Sequence, residues 1–152
     1  MGWEAVQPFP ASVAGRSFVS GPPTSRALQV AWFRRVDDGV LFGKVWFGPE
    51  TLGPPGNAHG GSQAAVLDEA MGAAAWLAGH RVLAGRLEVD FVSMVPLGEV
   101  ARVEARVVEV ERRKVHTEAR LSSTDGTVRA EARGLFVELS EAQLDELIRT
   151  RS

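Results

Sequence analysis

Two carboxylates stand where carboxylates are least expected. Asp68 and Glu69 are adjacent inside residues 64–77, a run otherwise made only of Ala, Val, Leu, Met, Gly and Trp. A charge taken into apolar surroundings is costly unless it is paired or used. Functional sites are where such perturbed ionisable groups collect, so the pair is the first place to look for acid, base or nucleophile chemistry. Just upstream lies Gly53-Pro-Pro-Gly-Asn-Ala-His-Gly-Gly61, too rich in Gly and Pro to be helical. No two of His59, His80 and His116 have metal-ligand spacing and there is no cysteine, so no metal site is expected.

The elements that must position these residues follow from periodicity. A helix is predicted from His59 or Gly60 to Ala78, with Gly79 as its stop. Its apolar residues cover almost every face, and a helix apolar all round is buried all round. In a chain of 152 residues, one domain in size, a sheet wrapped around the helix achieves that. Strand patterns are present on both sides. Leu28, Val30 and Trp32 alternate with polar or small residues. Asp37-Asp38-Gly39 is a turn signal, and a second strand runs to Phe47. After the helix come alternating runs at 87–91, 101–107, 115–121 and 128–139, with turns at 111–114 and at Asp125-Gly126. Each has one apolar and one charged face, as an antiparallel sheet with one wet side requires. Ser140 and Gln143 have capping-box spacing ahead of a short amphipathic helix. Residues 1–26, with four prolines, read as an irregular arm, either pinned to the body by Phe9, Val13 and Phe18 or left as a partly ordered tail; residues 27–152 read as a single domain.

Bulk properties exclude several classes. The net charge is −2, with 45% apolar residues, which gives no concentrated basic face for nucleic acid. The longest apolar run falls far short of the ~20 residues that span a bilayer. The first 20 residues lack the pattern of a signal peptide. A soluble, cytoplasmic protein is expected.

The order of strands and helix, together with His59-Gly60-Gly61 and Leu67-Asp68-Glu69-Ala70-Met71-Gly72, resembles the hotdog-fold acyl-CoA thioesterase superfamily, and within it the phenylacetic-acid-degradation type. The resemblance covers residues 41–139. It implies an α+β fold: a curved antiparallel sheet around one long central helix. It implies hydrolysis of an acyl-CoA to free acid and CoA, with CoA part of the substrate and no further cofactor. It implies a homodimer, with pairing of dimers into a homotetramer left open. Asp68, nine residues after His59, takes the place of the family's nucleophile or general base. The Gly60 amide takes the place of its oxyanion donor, with Gly61 beside it. Asn57 is the candidate to orient water or thioester, although it lies closer to His59 than the family spacing. The family's Ser or Thr, ten places before Pro96, is replaced here by Arg86.

Physical chemistry agrees with part of this. A helix N-terminus offers free N–H groups and a positive dipole end, and glycines there admit close approach. Asp68 lies about 12 Å along the helix axis from Gly60, too far to share an oxyanion within one helix. The resemblance implies a dimer in which the acid of one chain faces the Gly60 amide of the other, the single-chain alternative being that Asp68 caps or pairs with an Arg such as Arg86. Glu69, rotated by ~100°, faces elsewhere, toward a base or the dimer seam. His59 is either a structural loop residue or, as in hotdog dehydratases and hydratases, a general base. A non-hydrolysing acyl-CoA-binding protein is the other alternative. Trp76, with Trp32, Trp46 and Met94, is a candidate to line an acyl pocket, and Arg112 and Arg113 are candidates for the CoA phosphates.

Overall fold

Residues 2–8 and 18–150 are described by a computed structural model. The strands are β1 (Trp3–Ala5), β2 (Leu28–Arg35), β3 (Leu41–Phe47), β4 (Val82–Phe91), β5 (Val100–Glu111), β6 (Lys114–Ser123) and β7 (Val128–Glu138). Helix α1 spans Gly60–Leu77 and α2 spans Glu141–Arg149. All seven strands form one antiparallel sheet in the order β1-β2-β3-β5-β6-β7-β4. Five of them, β3 to β7, touch α1, so the sheet curls around the helix in the expected hotdog arrangement.

The local causes are legible. Gly39 takes φ +73° after Asp37-Asp38 and closes β2 onto β3. Arg112 adopts a left-handed φ of 55° in the two-residue turn between β5 and β6. The Asp125 carboxylate accepts from the Thr127 N–H and hydroxyl and from the Ser123 hydroxyl, which turns β6 into β7. The Ser140–Gln143 capping box is complete at the start of α2.

The helix approaches the sheet closely because the facing positions are small. Ala101, Ala105, Ala119, Ala130 and Ala132 are buried on the inner face with Val103, Val115 and Leu121. At Gly134 a Cβ would stand 2.7 Å from the Phe136 ring and 3.2 Å from the Met71 methyl. From the helix, Val66, Leu67, Ala70, Met71, Ala73 and Ala75 are fully enclosed, and each large member contributes about 1.5–3 kcal/mol by leaving water. One face is only half covered: Ala64, Ala65, Asp68 and Glu69.

Charges occupy the outer face in rows that cross the strands. Arg106 stands opposite Glu118, Glu118 opposite Arg133, and Arg133 opposite Glu88. One pleat along, Glu104, Arg120, Glu131 and Asp90 form a parallel row. Near the other edge, the Trp3 and Phe42 rings pack at 4.8 Å, with Arg102 over Phe42.

The N-terminal segment departs from the expected irregular arm. Trp3–Ala5 adds a seventh strand, pairing with β2. Phe9 and Val13 lie outside the described residues. Phe18 is 73% exposed and pins nothing, whereas its neighbour Val19 is buried. Three residues paired to an edge strand carry too little pattern to register as periodic. Strand β4 is the other edge, and its inner-face residues Leu87 and Phe91 remain exposed, Phe91 at 55%.

Candidate active site

The loop before α1 is tied down by its backbone. The Gly53 N–H donates to the Asn57 carbonyl, the Ala58 N–H to Val95 and the His59 N–H to Thr51. At Gly53 a Cβ would meet the His59 Cα at 2.5 Å. Gly53→Ala is therefore expected to lower thermal stability by about 1–3 kcal/mol, the usual cost of overpacking. Thermal unfolding checks this, and an unchanged midpoint would contradict the geometry.

His59 caps the helix. Its Nδ1 accepts from the Gly61 N–H at 2.8 Å, so the neutral ring carries its proton on Nε2. The His59 carbonyl accepts from the Ser62 and Gln63 N–H groups. Of the first four amides of α1, only the Gly60 N–H has no partner among the described residues. The Gly61 amide is used by the cap. The Phe91 ring stands over Gly60, 3.4 Å from where a Cβ would be. Leu52, Val92 and Met94 are also exposed, on the segments that flank this helix end. The Gly60 amide is thus a bare donor beside an apolar wall.

Asp68 sits on the half-covered face of α1. Among the described residues its carboxylate accepts no hydrogen bond and forms no ion pair. Burial, and secondarily the negative charge of Glu69, push its pKa above the ordinary carboxylate value. The buried sheet residues on the inner face are apolar apart from Thr117, whose hydroxyl donates to the Gly134 carbonyl, and Ser123, whose hydroxyl donates to the Asp125 carboxylate. Glu69 is held differently: its Oε2 accepts from the Ser20 hydroxyl at 2.7 Å, and Ser20 accepts from the Trp32 indole N–H at 3.0 Å. Glu69 therefore anchors the N-terminal segment to the helix, a role for which Ser20 carries no sequence signal.

Other candidates lie elsewhere. The Asn57 side-chain amide donates to the Pro55 carbonyl at 2.9 Å and shapes the loop. Arg86 follows the bulge at Gly85, points to the outer face and pairs with Glu88 at 3.2 Å, on the side of the sheet away from α1. Trp76 is at the far end of α1, about 24 Å along the axis from Gly60, and its indole N–H donates to the Val82 carbonyl. Arg112 and Arg113 form the turn at that same remote end, where Arg113 donates to the Glu138 carbonyl. Two residues near Gly60 escape a reading by motif: Phe91, hidden in an ordinary strand alternation, and Gln63, a polar residue in the first turn of an apolar helix.

The free Gly60 N–H and the Asp68 carboxylate therefore stand about 12 Å apart along the same helix axis. Residues 55–130 match the profile of the thioesterase superfamily. The chain is 32% identical to the acyl-coenzyme A thioesterase THEM4 of Xenopus laevis, over 90% of this chain and 68% of that protein. It is 37% identical to the acyl-coenzyme A thioesterase THEM5 of Mus musculus over 65% of this chain, but spans only 39% of that relative. Among solved structures, the E. coli PaaI protein of the phenylacetic acid degradation operon superposes with a TM-score of 0.66 at 17% identity, covering 74% of this chain and 80% of that one. That likeness is one of fold. A Bacillus halodurans protein solved with CoA gives 0.64 at 25% identity, covering 72% and 74%. Fold, motif and profile converge: the chain belongs to the thioesterase superfamily.

Proposed function

We propose that this chain is an acyl-CoA thioesterase that works as a homodimer, each site joining the Gly60 amide of one chain to Asp68 of the other. The observation that carries the proposal is the Gly60 amide, unpartnered among the described residues, at the start of a helix whose half-buried acid lies about 12 Å away. Thioester hydrolysis needs both a donor for the oxyanion and a base or nucleophile, and one chain cannot bring these two together. The bare edge of β4, with Leu87 and Phe91 uncovered, favours pairing with a second copy, since an exposed ten-residue edge is otherwise a liability. The names of the relatives and the CoA bound to the Bacillus halodurans neighbour support the substrate class. Water attacks the thioester carbonyl, the Gly60 N–H stabilises the oxyanion, and Asp68 takes the proton of the water or attacks directly. A hydratase reading through His59 is disfavoured because its Nδ1 is committed to the cap.

The test is release of free CoA thiol from acyl-CoAs of graded chain length and aromaticity, together with sedimentation of the protein. Thiol release from at least one of them by a two-chain or larger particle is expected. Binding with no thiol release would move the protein to the non-hydrolysing alternative, and hydration of an enoyl-CoA with its thioester intact would move it to the hydratases.

A further inference from the structure

Gln63 is a polar side chain where nothing structural requires one. It is 4% exposed, and its Oε1 is enclosed with no hydrogen-bond partner among the described residues. An unmet buried acceptor destabilises a fold, and native structures usually supply a partner or a buried water. Gln63 lies three residues after Gly60 in the first turn of α1. Positions so spaced lie on the same helix face, and helical side chains lean toward the N-terminus. The amide therefore reaches back over the turn that ends in the free Gly60 N–H. Asn57, the candidate to orient water, is held by the Pro55 carbonyl, and Arg86, which stands where the family has Ser or Thr, pairs with Glu88 on the outer face.

We propose that Gln63 is the water-positioning residue of this thioesterase site, its Oε1 accepting one hydrogen of the attacking water; the inference rests on the thioesterase reading above. Asp68 of the opposing chain takes the other proton as the water oxygen bonds to the thioester carbonyl carbon. The carbonyl oxygen gains negative charge facing the Gly60 N–H. The carbon–sulfur bond then breaks, the sulfur leaves as thiolate and takes the proton held by Asp68. The hydrogen on Gln63 stays with the acid formed, so atoms and charge balance with no further reactant.

The experiment compares wild type, Gln63→Leu and Gln63→Met in steady-state thiol release from an acyl-CoA that the wild type hydrolyses. It adds thermal unfolding and partition of the acyl group between water and added hydroxylamine. Expected is a fall in kcat of about tenfold or more, the loss of one hydrogen bond to reacting water, with KM within about twofold. The melting midpoint should be unchanged or higher, and the variants should divert a larger share of acyl groups to hydroxylamine, which brings its own nucleophile. Gln63→Met stands in if the leucine variant fails to fold. A kcat within about twofold of wild type, or a raised KM at unchanged kcat, overturns the proposal. A wild type inactive on every acyl-CoA overturns the thioesterase reading and this inference with it, a result distinct from an active wild type matched by active Gln63 variants.

Discussion

Asp68→Asn is expected to lower kcat for acyl-CoA hydrolysis by about 10²–10⁴-fold, the usual contribution of a positioned base, and at the same time to raise the melting midpoint at neutral pH. The substitution keeps size and shape and removes one charge. Both effects follow from the same setting. Asp68 is half-buried, accepts no hydrogen bond among the described residues, and has its pKa raised by burial first and by the Glu69 charge second. A carboxyl whose folded-state pKa lies above its unfolded value stabilises the fold while it is protonated, below the ordinary carboxylate range. That contribution is lost as pH climbs through the raised value. Above that raised value the ionised Asp68 is a burden on the fold, which asparagine relieves. Wild-type kcat/KM should fall on the acid side at a higher pH than a free aspartate would give, because the base must be ionised to act. Melting curves of the two proteins should converge toward acid and separate above the raised pKa. Undiminished turnover in the variant would sink the catalytic assignment, and a lower midpoint at neutral pH would sink the electrostatic one.

Gly60→Pro is the complementary experiment, and its predicted loss is about 10²–10³ in kcat, the effect of deleting one oxyanion donor. Proline is well tolerated at the first helical position. His59 already has the extended conformation, φ −62° and ψ 139°, that a residue before proline requires. The substitution thus removes one N–H and leaves the helix in place, which circular dichroism would verify. Gly60→Ala is the control: its Cβ would meet the Phe91 ring at 3.4 Å, the near limit of ordinary contact, and the N–H is retained. Co-refolding Gly60→Pro with Asp68→Asn tests the two-chain site directly. Random pairing makes half of the dimers mixed, each with one intact site, so about a quarter of wild-type activity should return. A mixture as inactive as its components would place acid and amide in one chain.

Much of the frame was legible because burial leaves a periodic trace. The strand alternations from 28 to 139, the turns at Gly39 and Asp125, the cap at Ser140 and the helix limits all rest on local chemistry, and the structure reproduces them. Where reading stopped, the missing information was directional. A helix apolar on every face has no stripe to show which side the sheet leaves open, so the exposure of Ala64, Ala65, Asp68 and Glu69 had to come from the fold. Trp76 lies at the end of α1 away from Gly60 with its indole N–H on the Val82 carbonyl, a placement that residue type does not reveal. Arg86 carried a family position but not its environment, since the bulge at Gly85 and the outward side of β4 are set by pairing with β7. The Ser20–Glu69 bond joins residues 49 apart, a separation at which no local pattern survives.

The charged rows on the outer face also act as a register code. The apolar alternation of the inner face already forbids a slip by one residue, which would turn every side chain over. It is blind to a slip by two, which keeps every face the same. The rows supply the missing discrimination. Sliding β7 by two along β6 in one direction sets Glu118 against Glu131 and Arg120 against Arg129; in the other direction it sets Arg120 against Arg133. Sliding β6 along β5 sets Glu104 against Glu118 one way and Arg106 against Arg120 the other. Like charges directly opposed are destabilising, so each near-miss pairing among β5, β6 and β7 is penalised whichever way it errs; the β4–β7 pairing, which itself sets Asp90 against Glu131, does not share this code. The ion pairs matter less for the stability of the correct sheet, where exposed pairs contribute little, than for the wrong sheets they exclude.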